Sequence, residues 1–187
     1  GKRYDHINAF ERLLADEGHA IRVFEKSRGL GGRMATRRSG AFQFDHGAQL
    51  LRFEDPDAHA WLDRCDVAVW TEANAPTARV GVPGMKDLLA PLARDLDIAF
   101  SAEVTALTPS TSGWLLETAA SRQTFDRVVL AMPAPQILRI ADALDPEFRD
   151  ALAGVAYDAC QALMVGFAAH PGWSPIRQKP DDVFELI

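Results

Sequence analysis

The stretch Ile21-Arg-Val-Phe-Glu-Lys-Ser-Arg-Gly-Leu-Gly-Gly-Arg-Met-Ala-Thr-Arg-Arg38 decides how this chain is read. It opens on Ile21, Val23 and Phe24, a β-branched and aromatic run of the kind that forms a buried parallel strand. The strand closes on an acid, Glu25, and a loop with Arg28, Gly29, Gly31, Gly32 and Arg33 follows. Glycine lets a backbone take positive φ and approach a phosphate closely. Arginine offers phosphate oxygens a paired set of donors. An acid at the end of the second strand of a dinucleotide-binding βαβ unit is where a ribose hydroxyl is accepted. Ribose acceptor, glycine doublet and phosphate-binding arginine thus fall within nine residues, Glu25 to Arg33. Without that chemistry the same residues are a strand followed by a basic surface loop.

Upstream, Ile7, Phe10, Leu13 and Leu14 recur at helical spacing, which predicts a helix over Asp5–Glu17. Asp5 suits its N-cap and Gly18 the position just past its end. The strand over 20–25 is then expected to be central and buried, flanked by this helix. Downstream, Phe42 and Phe44 alternate into a strand that turns at Gly47, and Asp55–Trp61 has the Asp-Pro start of a helix. Asp66–Thr71 reads as a strand, and Glu72–Arg79 as a polar connection. Val80-Gly-Val-Pro-Gly-Met85 reads as a tight loop feeding a helix with Met85, Leu88, Leu89 and Leu92 on one side, kinked at Pro91. Strands are predicted at Ile98–Phe100, Glu103–Leu107 and Trp114–Thr118, the last two joined by a turn at Thr111-Ser-Gly113. A strand pair or a single strand is predicted over Thr124–Ala131, helices over Pro135–Leu144 and Pro146–Leu152, and a strand-like run over Ala156–Ala169 in which Leu163, Val165 and Phe167 alternate. Residues 173–187 carry no clear pattern.

Glu25 followed six and seven residues later by Gly31-Gly32, then Arg33, resembles the E-x5-G-G-R signature of flavin-dependent amine oxidases and their relatives. The longer match from Val23 through Arg38, with Phe44-Asp-His-Gly-Ala-Gln49, Val80-Gly-Val-Pro-Gly-Met85 and Val128-Val-Leu-Ala-Met-Pro-Ala-Pro135, resembles the renalase-like branch. The resemblance spans roughly residues 13 to 167. It implies an α/β fold: an incomplete Rossmann-like FAD-binding domain with part of an inserted α+β substrate domain. The expected boundaries are 1–48 and 80–133 for the FAD domain, and 49–79 and 134–187 for the substrate domain. It further implies FAD as cofactor and hydride transfer to flavin from an amine or a reduced nicotinamide-like compound, with dioxygen as reoxidant.

Carried over residue by residue, the resemblance makes Glu25 the ribose acceptor, with Lys26 and Ser27 beside it. Gly31, Gly32 and Arg33 fall to the phosphates, Met34 to the cofactor site beside them, Gln49 and His46 to the surroundings of the flavin ring, and Val104 to the strand that holds adenine. Ala131, Met132 and Pro133 end a strand whose exit loop lies near the nucleotide. No catalytic side chain is identified. Enzymes of this kind need no protein nucleophile, because the cofactor takes the hydride. In the family a strand and a G-x-G-x-x-G loop precede the first helix. Here Gly1-Lys-Arg-Tyr-Asp-His-Ile-Asn-Ala-Phe10 stands in their place, and no glycine lies between Lys2 and Glu17. Losing two charge-assisted hydrogen bonds to pyrophosphate costs about 3–6 kcal/mol, so the chain as written is expected to hold FAD weakly or not at all. Alternatives to an active enzyme are a truncated or decayed relative that folds without catalysing, or a sequence that is part of a longer polypeptide.

The 187 residues suffice for one large domain or two small ones, and 48% hydrophobic with 25% charged content is ordinary for a globular protein. A net charge of -6 argues against nucleic acid as partner. The local cluster Arg28, Arg33, Arg37 and Arg38 suits one small anionic ligand. The sequence has no apolar run long enough for a bilayer and no secretion signal pattern, so a cytoplasmic protein without a membrane partner is expected. Cys65 and Cys160 are expected to be reduced thiols, and the five histidines show no metal-binding spacing. An open sheet edge would favour self-association, and a small molecule is the expected substrate.

Overall fold

The computed structural model describes residues 7–52, 62–70, 78–169 and 172. In chain order these form α1 (Ile7–Asp16), β1 (Arg22–Glu25), β2 (Thr36–Ser39), β3 (Phe42–Asp45), β4 (Val67–Trp70), β5 (Ala78–Gly81), β6 (Asp97–Phe100), β7 (Val104–Ser110), β8 (Gly113–Thr118), β9 (Arg122–Phe125), α2 (Ala134–Ile140) and α3 (Pro146–Ala153). Packing separates two units, Gly1–Gly32 with Leu92–Gln161 and Arg33–Pro91 with Ala162–Ile187. Each unit is thus discontinuous in sequence, with breaks at 32/33, 91/92 and 161/162.

In the first unit β1 pairs in parallel with β6, Arg22 opposite Asp97 and Glu25 opposite Phe100. A helix leading into a parallel pair is the α/β, Rossmann-like arrangement that the sequence predicts. Helix α1 closes as its glycine requires: Gly18 has φ 87°, its N–H donates to Ala15 O, and the His19 N–H donates to Leu14 O. Leu13 departs from the expected inner face of the helix. Leu13 is 54% exposed, while Glu11, Leu14 and Ala15, at i, i+3 and i+4, are half-buried.

Strand β1 is half-buried rather than buried. Val23, Phe24 and Glu25 all keep some exposure, because β6 is the only strand that pairs with β1 among the described residues. Phe24 meets Phe125 of β9 edge-on, with ring centroids 5.8 Å apart. Strands β7, β8 and β9 form an antiparallel meander. Its first turn relies on Gly113, at φ 134°, where a Cβ would stand 2.3 Å from Phe125 O. Leu107 and Leu116 of this sheet pack with Ile137 and Ala141 to form the unit's core. Helix α3 starts where Asp145 accepts the Glu147 N–H at 2.9 Å, with Pro146 in the first turn.

The strand expected over Thr124–Ala131 is present only at Thr124 and Phe125, and the one expected over Ala156–Ala169 is absent from the described residues. Strand β9 ends at Phe125, and residues 127–133 join no sheet. Val128 and Leu130 turn onto the core cluster while Val129 stays 59% exposed, so the alternation of an extended chain survives without a ladder. Residues 155–169 also form no strand, and Leu163, Val165 and Phe167 are 89%, 53% and 49% exposed.

In the second unit β2 and β3 form a tight hairpin around Gly40-Ala41, with Gly40 at φ 59°. β4 pairs antiparallel with β5, so Val80 and Gly81 belong to a strand and not to the expected loop. The helix predicted from Met85 is a single 3-10 segment, Met85–Leu89. It still buries Met85 and Leu88 completely. The predicted helix Asp55–Trp61, most of the connection 72–79 and the segment 173–187 lie outside the described residues.

Candidate functional site

At the end of β1 the backbone is tied down by the connection between β6 and β7. The Ala102 N–H donates to Glu25 O at 3.0 Å and the Ser101 N–H to Ser27 O at 2.9 Å, with Ser101 in the left-handed region at φ 53°. The Glu25 side chain folds back onto its own loop and accepts the Ser27 N–H on Oε1 at 2.6 Å. This fixes the carboxylate and leaves Oε2 without a hydrogen bond among the described residues. The Ser27 N–H is spent on Glu25, and Lys26 is exposed. Beyond them Gly31 and Gly32 take φ of 130° and 49°, and nothing lies within 4 Å of a Cβ built on Gly29 or Gly32. That open, left-handed backbone is what close approach of a phosphate needs.

The remaining expected nucleotide residues of this unit lie on or beside its core. Val104 begins β7, half-buried opposite Thr118, and packs on the core cluster together with Met132. Ala131 is exposed, and the Pro133 carbonyl accepts the Gln136 N–H at 2.8 Å as α2 begins. Because residues 127–133 are not a strand, Ala131, Met132 and Pro133 form a helix approach instead of the expected strand exit.

Sequence reasoning missed Glu11. Its Oε2 is buried with no hydrogen-bond partner among the described residues. Desolvation, and secondarily the charge of Glu25, raise its carboxyl from 4.5 to about 7. The available signal was an acid three residues before Leu14 on the helix face that packs inward.

In the second unit Arg33 stands exposed in the 3-10 turn Gly32–Met34. Met34 beside it is 4% exposed, its side chain in the core. The Arg33 carbonyl accepts the Ala48 N–H at 2.8 Å. Here Gly47 is required: a Cβ on it would sit 2.0 Å from Arg33 O. The Gly-Gly-Arg and Asp-His-Gly motifs therefore meet, backbone on backbone. Asp45 is a clamp. Its Oδ1 accepts the Thr36 hydroxyl at 2.5 Å and the Met85 N–H at 3.1 Å, while Thr36 Oγ1 accepts the Lys86 N–H at 3.2 Å. His46 is exposed and Gln49 half-buried.

Among the described residues no group of His, Cys, Asp and Glu is arranged to hold a metal, and no helix is long and apolar enough to cross a membrane. Residues 9–65 match the family model of the NAD(P)-binding Rossmann-like domain, and residues 68–182 that of flavin containing amine oxidoreductase. The chain belongs to the flavin-containing amine oxidoreductase family. A flavin nucleotide is the group such a family implies, and the residues present fit its ribose and phosphate portions. Glu25 offers an oriented carboxylate with one open oxygen, and Gly32 offers positive φ with free space over it.

Proposed function

We propose that the chain is an FAD-dependent oxidoreductase of the renalase-like branch, acting on an amine or a reduced nicotinamide-like compound. The observation that carries the reading is Glu25, fixed at a strand end by Ser27 and open at its second oxygen. A ribose hydroxyl donating there makes a charge-assisted bond at little ordering cost, because the carboxylate is already held. A bound flavin would supply the redox chemistry, as hydride acceptor from the substrate with dioxygen as the reoxidant, reduced to hydrogen peroxide. Residues 1–48 and 80–133 serve the cofactor in this reading, and 49–79 and 134–187 the substrate. By resemblance, Arg33 goes to the pyrophosphate and His46 and Gln49 to the flavin's surroundings.

The test is anaerobic. The chain is saturated with FAD and mixed with a panel of primary amines and with a reduced nicotinamide nucleotide. Bleaching of the flavin band by one of them, faster than with free FAD, supports the proposal. Bleaching at the rate of free flavin with all of them makes the chain a folded relative without catalysis.

A further inference from the structure

The hairpin of β2 and β3 has two faces of different character. Its register sets Arg37 opposite Phe44 and Ser39 opposite Phe42, so these four share one face, with Thr36, Arg38, Gln43 and Asp45 on the other. On the second face the polar groups satisfy one another. Arg38 Nε–H donates to Gln43 Oε1 at 3.1 Å, Gln43 Nε2–H to Pro83 O at 2.5 Å, and the Thr36 hydroxyl to Asp45. On the first face Arg37 is exposed and has no hydrogen-bond or ion-pair partner among the described residues. The rings of Phe42 and Phe44 stack beside it, centroids 6.1 Å apart and planes 27° from parallel.

A second wall comes from Met164 and Gly166, which belong to the same unit. The approach at Gly166 is close: a Cβ there would lie 2.8 Å from the Phe42 ring. The two walls leave an open cleft of about 370 Å³ lined by Arg37, Ser39, Phe42, Phe44, Met164 and Gly166. That volume is at the lower end for small-ligand sites and suits a molecule of one or two rings. Among the described residues the lining holds one cation and no acid.

We propose that this cleft binds a small aromatic carboxylate, its carboxyl group on the Arg37 guanidinium with the Ser39 hydroxyl beside it. The ring lies against Phe42, Phe44 and Met164. Arginine's planar fork matches a carboxylate with two parallel hydrogen bonds, and the stacked rings take a flat apolar body. An amine of the same shape is refused, because Arg37 repels it. The site is independent of the flavin reading and stands or falls separately.

The test is calorimetric titration of the full chain with 2-naphthoate, and with 2-naphthylmethylamine as the cationic counterpart. Saturable binding of the carboxylate alone is expected. Arg37→Gln should weaken it about ten- to hundredfold, the worth of hydrogen bonds to a charged group. Arg38→Gln, on the opposite face, should leave it unchanged, and circular dichroism should show both variants folded. The proposal is overturned by absence of saturable binding, by equal binding of the amine, by indifference to Arg37→Gln, or by equal losses in the two variants.

Discussion

Glu11 occupies a helix position that faces inward, and its carboxyl keeps its proton to about pH 7 against an ordinary 4.5. Between those values the folded state holds a proton that the unfolded chain has released. Stability therefore falls as pH rises through that window and levels off above it. Glu11→Gln removes the loss. Urea denaturation should find the variant equal to the parent near pH 4 and more stable at pH 8 by about 1–2 kcal/mol, less than the full shift implies because the residue is only half-buried. The glycines give a contrast at the same scale. Gly47→Ala drives a methyl into the Arg33 carbonyl and should cost about 2 kcal/mol or more, whereas Gly29→Ala meets open space and should stay within about 0.5 kcal/mol. Equal midpoints for these two variants in thermal melts would mean that the loop at Arg33 does not rest on Gly47.

Among the elements, the 3-10 segment Met85–Leu89 anchors the second unit. Leu88 is fully buried in it, and Leu88→Ala should cost about 2–5 kcal/mol in a denaturant titration. Asp145→Ala, which removes the cap of α3, should cost only about 1 kcal/mol. Elements whose pattern reflects burial were legible in the sequence: α1 with its terminal Gly18, β1 with its apolar run, and the β7–β8 hairpin with its Gly113 turn. Strand β2 was not, because Thr-Arg-Arg-Ser is polar on both faces and its pairing with β3 is set by the Gly40 turn. Residues 128–131 misled in the opposite sense. Their apolar run reads as a strand, but the side chains are consumed by the α2 core and no neighbouring strand pairs with them among the described residues. The candidate site divides in the same way. The Glu25–Arg33 spacing is a chemical pattern and stood out, whereas the Gly47–Arg33 contact and the Asp45 clamp are long-range consequences of packing.

At the scale of the whole molecule, the net charge of -6 sits beside a basic cluster that folding breaks up. Strand alternation sends Arg37 and Arg38 to opposite faces of one hairpin, Arg38 to a neighbour and Arg37 to the aromatic cleft. What remains central is the strand-end acid of a flavin family. The direct test is calorimetric titration of FAD into the parent chain and into Glu25→Ala at pH 7.5. The account predicts saturable binding by the parent, and a loss of about 1.5–3 kcal/mol in the variant, roughly ten- to hundredfold in affinity. Equal affinities, or no saturable binding by the parent, would contradict it.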